Sequence, residues 1–244
     1  MLQEEAEDLD AEVFLPDLQR INAAGKHLLG LINDILDLSK IEAGRMDLFI
    51  ESFEVGQLVR NVAAIVQPLV EKNSNTLVVS CPTNIGTLHA DQTKVRQTLF
   101  NLLSNAAKFI DHGTIELRVA LTPRPPHQTY HGAPHPHGPT EGEGESVDLL
   151  PSLSQGGEAG GGGITFAVTD TGIGMTEEQL GRLFEAFSQA EVSARSKYGR
   201  TGLGLAISRH FCRLMGGDLT VSSVYGDGST FTVRLPTVVA EPVS

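Results

Sequence analysis

Residues Thr122 to Gly163 break the chain in two. Ahead of them Ile115, Leu117, Val119 and Leu121 alternate with polar residues, and behind them Ile164, Phe166 and Val168 take up the same alternation. A period of two marks half-buried strands. The 42 positions from Thr122 to Gly163 hold 10 of the 26 Gly, 7 of the 12 Pro and four of the eight His. Such a stretch buries too little apolar surface to offset its ordering entropy, so it is expected to be a disordered insertion in place of a short hairpin turn. The fold must therefore contain two neighbouring strands whose connection tolerates great length.

The remaining elements fit around that pair. Phe14, Leu18, Ile21, Leu28, Ile32 and Ile35 follow three- and four-residue steps, with Gly25 the one gap, and predict one long helix from Phe14 to Ala43, with Gly44 as its stop. Leu29 and Leu36 widen the stripe beyond a two-strand seam and point to a bundle. Residues 2–9 read as the end of an earlier helix, which makes residues 1–44 a partial antiparallel helical hairpin. Val55, Leu58, Val59, Val62, Ile65, Val66, Leu69 and Val70 mark a second helix, and Thr76 to Ser80 a strand. Asp91 is placed to cap a helix reaching about Phe109, and Thr176-Glu177-Glu178-Gln179 is a capping box opening a helix through Phe187. Leu203 to Met215 reads as a helix ended by Gly216-Gly217, followed by a hairpin of Leu219–Val224 and Thr230–Leu235 around Gly226-Asp227-Gly228. This order predicts an α+β fold over residues 45–244, a two-layer sandwich with one mixed sheet covered by helices on one face.

Charge and composition exclude several functions. With 18 Lys+Arg against 30 Asp+Glu the formal charge is −12, and there is no basic run, so neither nucleic acid nor an anionic membrane is an expected partner. The N-terminus, MLQEEAEDLD, is unlike a signal peptide, and no apolar run approaches the roughly 20 residues that span a bilayer. Two cysteines, Cys81 and Cys212, make no disulfide framework, and the default compartment is the cytoplasm.

Three clusters carry chemistry. Asn101, Asn105 and Lys108 share one face of their helix, offering amide oxygens for a hard cation and an ammonium for phosphate; the alternative is a solvated polar face. Asp170-Thr171-Gly172-Ile173-Gly174-Met175 follows a strand, so Asp170 is an acceptor for an amino group and the glycines allow a flat ligand to approach; the alternative is a tight turn. Gly199-Arg200-Thr201-Gly202-Leu203-Gly204-Leu205 runs into a helix whose N-terminal amides suit phosphate, although its spacing is neither a P-loop nor a dinucleotide fingerprint. Phe184 and Phe187 precede a polar segment, Ser188 to Tyr198 with Arg195 and Lys197, that reads as a lid over a nucleotide; core packing is the alternative for the two Phe.

Taken together, these boxes resemble those of sensor histidine kinases. Asn101-Leu-Leu-Ser-Asn105-Ala-Ala-Lys108-Phe109 resembles their Asn-rich box and Asp170-Thr-Gly-Ile-Gly-Met their first glycine box. Leu183-Phe-Glu-Ala-Phe187 is similar to their Phe box, and Gly202-Leu-Gly204-Leu to their second glycine box. Leu31-Ile-Asn-Asp-Ile-Leu-Asp-Leu-Ser-Lys-Ile-Glu-Ala-Gly44 is similar to the end of their dimerisation hairpin. The resemblance implies the ATP-binding sandwich shared with gyrase, Hsp90 and MutL. It implies that Asp170 bonds the adenine amine, that Gly172 and Gly174 line its pocket, and that Asn105 ligates Mg²⁺. Asn101 and Lys108 would then act at the phosphates, and Phe187, Arg200, Thr201, Gly202, Leu203 and Gly204 would bound the nucleotide on the lid side. ATP and Mg²⁺ are the implied cofactors. A response regulator's receiver domain and a second copy, docked through the hairpin, are the implied partners of the parent system.

One departure matters. The family's phosphoaccepting His-Glu-Leu-Arg-Thr-Pro-like box is not in the chain, so the reaction expected is transfer of the ATP γ-phosphoryl to a histidine on another segment. His27 lacks the acidic and Pro neighbours and reads as structural or surface-facing, and the insertion's His127, His131, His135 and His137 have no fixed metal geometry. Arg200 stands where the family often has Gly. The rival readings are a nucleotide-binding or dimerisation module without kinase activity, and a serine kinase of the anti-sigma type on the same fold.

Overall fold

A computed structural model describes residues 14–122, 162–186 and 202–240. The first arm of the expected hairpin, most of the insertion, and the segment from Phe187 to Thr201 lie outside the described residues.

Helix α1, Leu15–Glu42, is the long helix foreseen. Phe14, Ile21, Leu28, Leu29, Ile32, Ile35 and Leu36 are exposed along it. Its last turns touch the remainder of the fold, where Leu38 and Ile41 pack against the core.

The sheet has five strands in the order β2-β4-β5-β7-β6: β2 Thr76–Ser80, β4 Thr114–Thr122, β5 Gly163–Asp170, β6 Asp218–Val224 and β7 Gly228–Pro236. β2 runs parallel to β4 and the other pairs are antiparallel, so the sheet is mixed, as expected. Thr122 lies opposite Gly163, so the two ends of the insertion leave one spot on the sheet. Ile115, Leu117 and Val119 of β4 and Ile164, Phe166 and Val168 of β5 are all buried on one face. The other face carries threonines, among them Thr169 and Thr230 with hydroxyls 3.0 Å apart. An antiparallel sheet holds such a polar face against water without difficulty.

Three helices cover the apolar face: α2 Val55–Lys72, α3 Gln92–Phe109 and α5 Gly204–Leu214, with α3 packed between the other two. α2 buries Val55, Leu58, Val59, Val62, Val66 and Val70, while Ile65 and Leu69 of the same sequence pattern stay exposed. α4, Glu177–Arg182, begins with the reciprocal capping box of Thr176 and Gln179 but ends five residues before Phe187. β1, Glu51–Glu54, and β3, Thr87–Ala90, form a separate antiparallel ribbon that the sequence pattern did not announce, because four residues of mixed polarity carry no legible period. Thr237 to Val239 lies beside β3 through hydrogen bonds of 2.9 and 2.8 Å to the His89 backbone. Both cysteines are free, and burial pushes the Cys212 thiol up to about 12.

Phe166 sits fully buried in the central strand. Its replacement by Ala is expected to cost about 3–5 kcal/mol of stability, read as a lowered midpoint in urea unfolding.

Candidate nucleotide site

The end of β5 fixes the first part of the site. Asp170 is half-buried, and its Oδ1 accepts the Gly172 backbone N–H at 2.9 Å. Burial raises its pKa, against the lowering effect of backbone N–H groups of Gly172 and Ser229. The folded state thus holds this proton more tightly than the unfolded chain does. The contribution to stability is full below the unfolded pKa and declines as pH rises through the folded one. An ionised Asp170 at neutral pH is an acceptor kept at some cost, which suits a group that awaits a donor from a ligand.

The glycine box after Asp170 is stitched to its surroundings. Thr171 Oγ1 accepts from the Thr114 backbone N–H at 3.0 Å, and the Met175 N–H donates to Ser223 Oγ at 2.9 Å. Gly174 has φ +64°, and a Cβ there would meet the Val224 carbonyl oxygen at 1.9 Å. Both the backbone angle and the space demand glycine.

α3 supplies the second part. Asp91 caps it, accepting from the Lys94 N–H at 3.0 Å, with its other oxygen taking the Phe49 N–H at 3.0 Å. Buried Asn75 holds the far end, donating to the carbonyls of Ala107 and Ile110 and accepting from the Gly113 N–H. Val95, Leu99, Leu102 and Ala106 face the core, as their spacing predicted. The polar stripe emerges by degrees: Asn101 is 8% exposed, Asn105 half-buried and Lys108 exposed. The Asn101 side chain lies against α5, where Nδ2 donates to Ser208 Oγ at 3.0 Å.

The third part is the start of α5. Leu203 is fully buried, so its side chain is a core anchor and only its backbone is offered to a ligand. A Cβ on Gly204 would stand 2.7 Å from Asn101 Oδ1 and 3.0 Å from its Nδ2, so glycine lets the helix N-terminus close onto α3. α3 packs on both β5, the strand ending in Asp170, and α5, the helix starting at Gly204. Asn101, Asn105 and Lys108 thus lie on α3, Asp170 ends β5 with Gly172 and Gly174 in the turn after it, and Gly204 starts α5 with Gly202 and Leu203 just before it. Phe187, Arg200, Thr201 and the expected lid lie outside the described residues. Phe184 is half-buried under the Arg209 guanidinium, 4.5 Å from the ring centre, and Asp218 holds Arg209 through contacts of 3.0 and 3.2 Å.

Among the histidines, His89 bonds Ser52 Oγ at 2.9 Å, while the side chain of His27 lies outside what is described. The residues between Thr122 and Gly162, with their four His, also lie outside it. Among the described residues no three His, Cys, Asp or Glu gather as a metal cluster, and no helix is long and apolar enough to cross a membrane. Ser208 was missed in the sequence. It stands four residues after Gly204, on the same helical face, and that spacing was the available signal.

A sandwich with an acceptor at a strand end, a glycine turn and an amide-bearing helix defines an ATP-binding domain. The chain belongs to the family of histidine kinase-, DNA gyrase B- and HSP90-like ATPases, whose model matches residues 90–239. It is 37% identical over 220 residues to hybrid signal transduction histidine kinase B of Dictyostelium discoideum, covering 90% of this chain and 10% of that protein. It is 35% identical over 230 residues to the circadian input-output histidine kinase CikA of Synechococcus elongatus, covering 93% of this chain and 26% of the other. The chain thus spans a tenth to about a quarter of these curated relatives. The crystal structure of full-length ShkA in complex with AMPPNP superposes with a TM-score of 0.66 at 25% identity, over 96% of this chain and 40% of that one. Histidine kinase AdeS of Acinetobacter baumannii shares the fold, with a TM-score of 0.60 at 17% identity, over 96% of this chain and 91% of that one.

Gly174→Ala is expected to lose on the order of 3 kcal/mol, since a backbone carbonyl has no room to yield. Differential scanning calorimetry reads this as a lowered Tm.

Proposed function

We propose that this chain is the ATP-binding catalytic part of a two-component sensor histidine kinase. It transfers the γ-phosphoryl of Mg-ATP to a histidine on a phosphoacceptor box that the 244 residues do not contain. The observation that carries this reading is that α3, which bears Asn101, Asn105 and Lys108, packs on both the strand ending in Asp170 and the helix starting at Gly204. The histidine kinase relatives, and the AMPPNP-bound neighbour, support the same assignment.

In this reading Asp170 accepts the exocyclic amine of adenine, and the turn from Gly172 to Gly174 admits the ring. Lys108 answers phosphate charge, and the first amides of α5 donate to phosphate oxygens. The donor set of the stripe fits Mg²⁺: Asn105 carries an amide oxygen, the kind of hard ligand the ion accepts when water and phosphate fill most of its shell. Bound there, the ion would neutralise charge as the phosphoryl group moves. Arg200, Thr201 and Phe187 complete the phosphate and lid side. The exposed stripe on α1 seats a second copy in a helical bundle, and a receiver domain takes the phosphoryl onward, in the cytoplasm where ATP is supplied.

Calorimetric titration with a non-hydrolysable ATP analogue and Mg²⁺ is expected to give one site per chain; no heat would sink the reading. With γ-labelled ATP, acid-labile and alkali-stable label is expected on an added hairpin bearing the His box. Label on serine would point instead to the anti-sigma type of kinase.

Asp170→Asn is expected to weaken nucleotide binding by about 1.5–3 kcal/mol, on the order of 10- to 100-fold in Kd. It removes a buried charge, so thermal stability at neutral pH is expected to hold or rise. In the parent chain the same affinity is expected to fall on acidification, starting above the ordinary aspartate range, because burial raises the Asp170 pKa.

A further inference from the structure

Asn105, Asn101 and Ser208 form a line of polar side chains across the α3–α5 contact. Asn105 Nδ2 approaches Asn101 Oδ1 at 3.5 Å, and Asn101 Nδ2 donates to Ser208 Oγ at 3.0 Å. Ser208 is 2% exposed and Asn101 8%, so water does not compete for the inner bond. The line has a direction. In the bond as it stands Ser208 Oγ accepts, with the amide nitrogen of Asn101 inward and its carbonyl oxygen toward Asn105. That oxygen in turn draws the nitrogen of Asn105 toward itself and leaves the Asn105 carbonyl oxygen on the opposite side of its amide.

This matters because the two ends of an asparagine amide have nearly the same shape. Packing alone does not choose between them; hydrogen bonds do. A divalent cation takes the oxygen end only. The spacing that permits the line comes from Gly204, whose missing Cβ lets α5 close onto Asn101.

We propose that Ser208 is a positioning residue which, acting through Asn101, sets the Asn105 amide with its oxygen toward the divalent cation that accompanies the nucleotide. The inference rests on the ATP-binding reading above and assigns Asn101 to orientation rather than to phosphate contact. Removing the Ser208 hydroxyl takes away the acceptor at 3.0 Å from Asn101 Nδ2, and the amide order it favours is weakened.

The test uses the full chain and the variants Ser208→Ala, Ser208→Thr and Ser208→Cys. Binding of a non-hydrolysable ATP analogue is titrated against Mg²⁺ and, separately, in EDTA. Ser208→Ala is expected to weaken the apparent Mg²⁺ affinity on the order of 10-fold while leaving metal-free nucleotide binding within about twofold. Ser208→Thr keeps the hydroxyl and is expected to restore the Mg²⁺ dependence; Ser208→Cys, a weak acceptor, is expected to fall between. In the metal-free chain, the Asn105 side-chain amide pair in ¹⁵N-edited NMR spectra is expected to move in Ser208→Ala and return in Ser208→Thr. Should Ser208→Ala fail to fold, the Cys and Thr variants decide the matter by the same readings. Equal losses with and without metal would make Ser208 a packing residue and overturn the inference, as would an unchanged Mg²⁺ dependence. A wild-type chain that binds no nucleotide would overturn the ATP-binding reading as well, which separates the two failures.

Discussion

Both ends of α3 are held by buried side chains, its own N-cap Asp91 at one end and Asn75 from the preceding α2–β2 turn at the other. Asp91 closes the N-terminus and also takes the Phe49 N–H, so the strand-like approach to β1 is tied to the helix start. Asn75 closes the C-terminus with two donated bonds and one accepted. Buried polar groups of this kind stabilise only when fully satisfied, so they tolerate one position of the helix and not its neighbours. The site inherits that fixity, because Asn101, Asn105 and Lys108 all ride on α3. The apolar face of the same helix meets β4, β5, α2 and α5, and the core therefore sets the height of the polar stripe above the sheet.

The end of α1 joins this assembly at one partly desolvated point. Lys94 on α3 lies 3.7 Å from Asp37 and 4.3 Å from the centre of the Phe211 ring on α5. With side chains only 16% and 18% exposed, the Lys94–Asp37 pair sits where a lost partner is costly, unlike the exposed Arg20–Asp17 pair on the same helix. The acidic balance of the chain does not conflict with a site for a polyanion. Lys108 and the amides at the start of α5 are the groups proposed to meet phosphate, whereas seven acids lie before Leu18, among them Glu4, Glu5 and Asp8.

Long elements with a clean period were legible in the sequence. α1, α2, α3 and the β4–β5 pair came from spacing, Asp91 from its place before an apolar run, and the Thr176 box from its four letters. Asp170 and the glycine boxes were legible because a charged or turn residue at a strand end is conspicuous. What escaped was set by tertiary contact. β1 and β3 are too short to show a period, and only their mutual pairing and the returning Thr237–Val239 segment define them. Ile65 and Leu69 match the helical pattern of α2, yet nothing packs over them enough to bury them. Asn101 and Asn105 share a face, but the sequence does not say how deeply α5 overlaps that face. The overlap buries one amide and leaves the other at the rim, and it makes an ordinary serine on α5 part of the arrangement.

The register of β4 on β5 separates two jobs that one strand performs. Thr122 faces Gly163 at one end, while Asp170 ends the same strand roughly 23 Å away at the rise of an antiparallel strand. Seven inter-strand steps of ladder lie between them, flanked by β4 on one side and β7 on the other. Closing a longer loop across a preformed pair adds only about 0.6 kcal/mol per doubling of its length. That end of the sheet is thus a port: sequence of almost any length enters and leaves there, and the Asp170 end is shielded from it by the stiffness of the strand between.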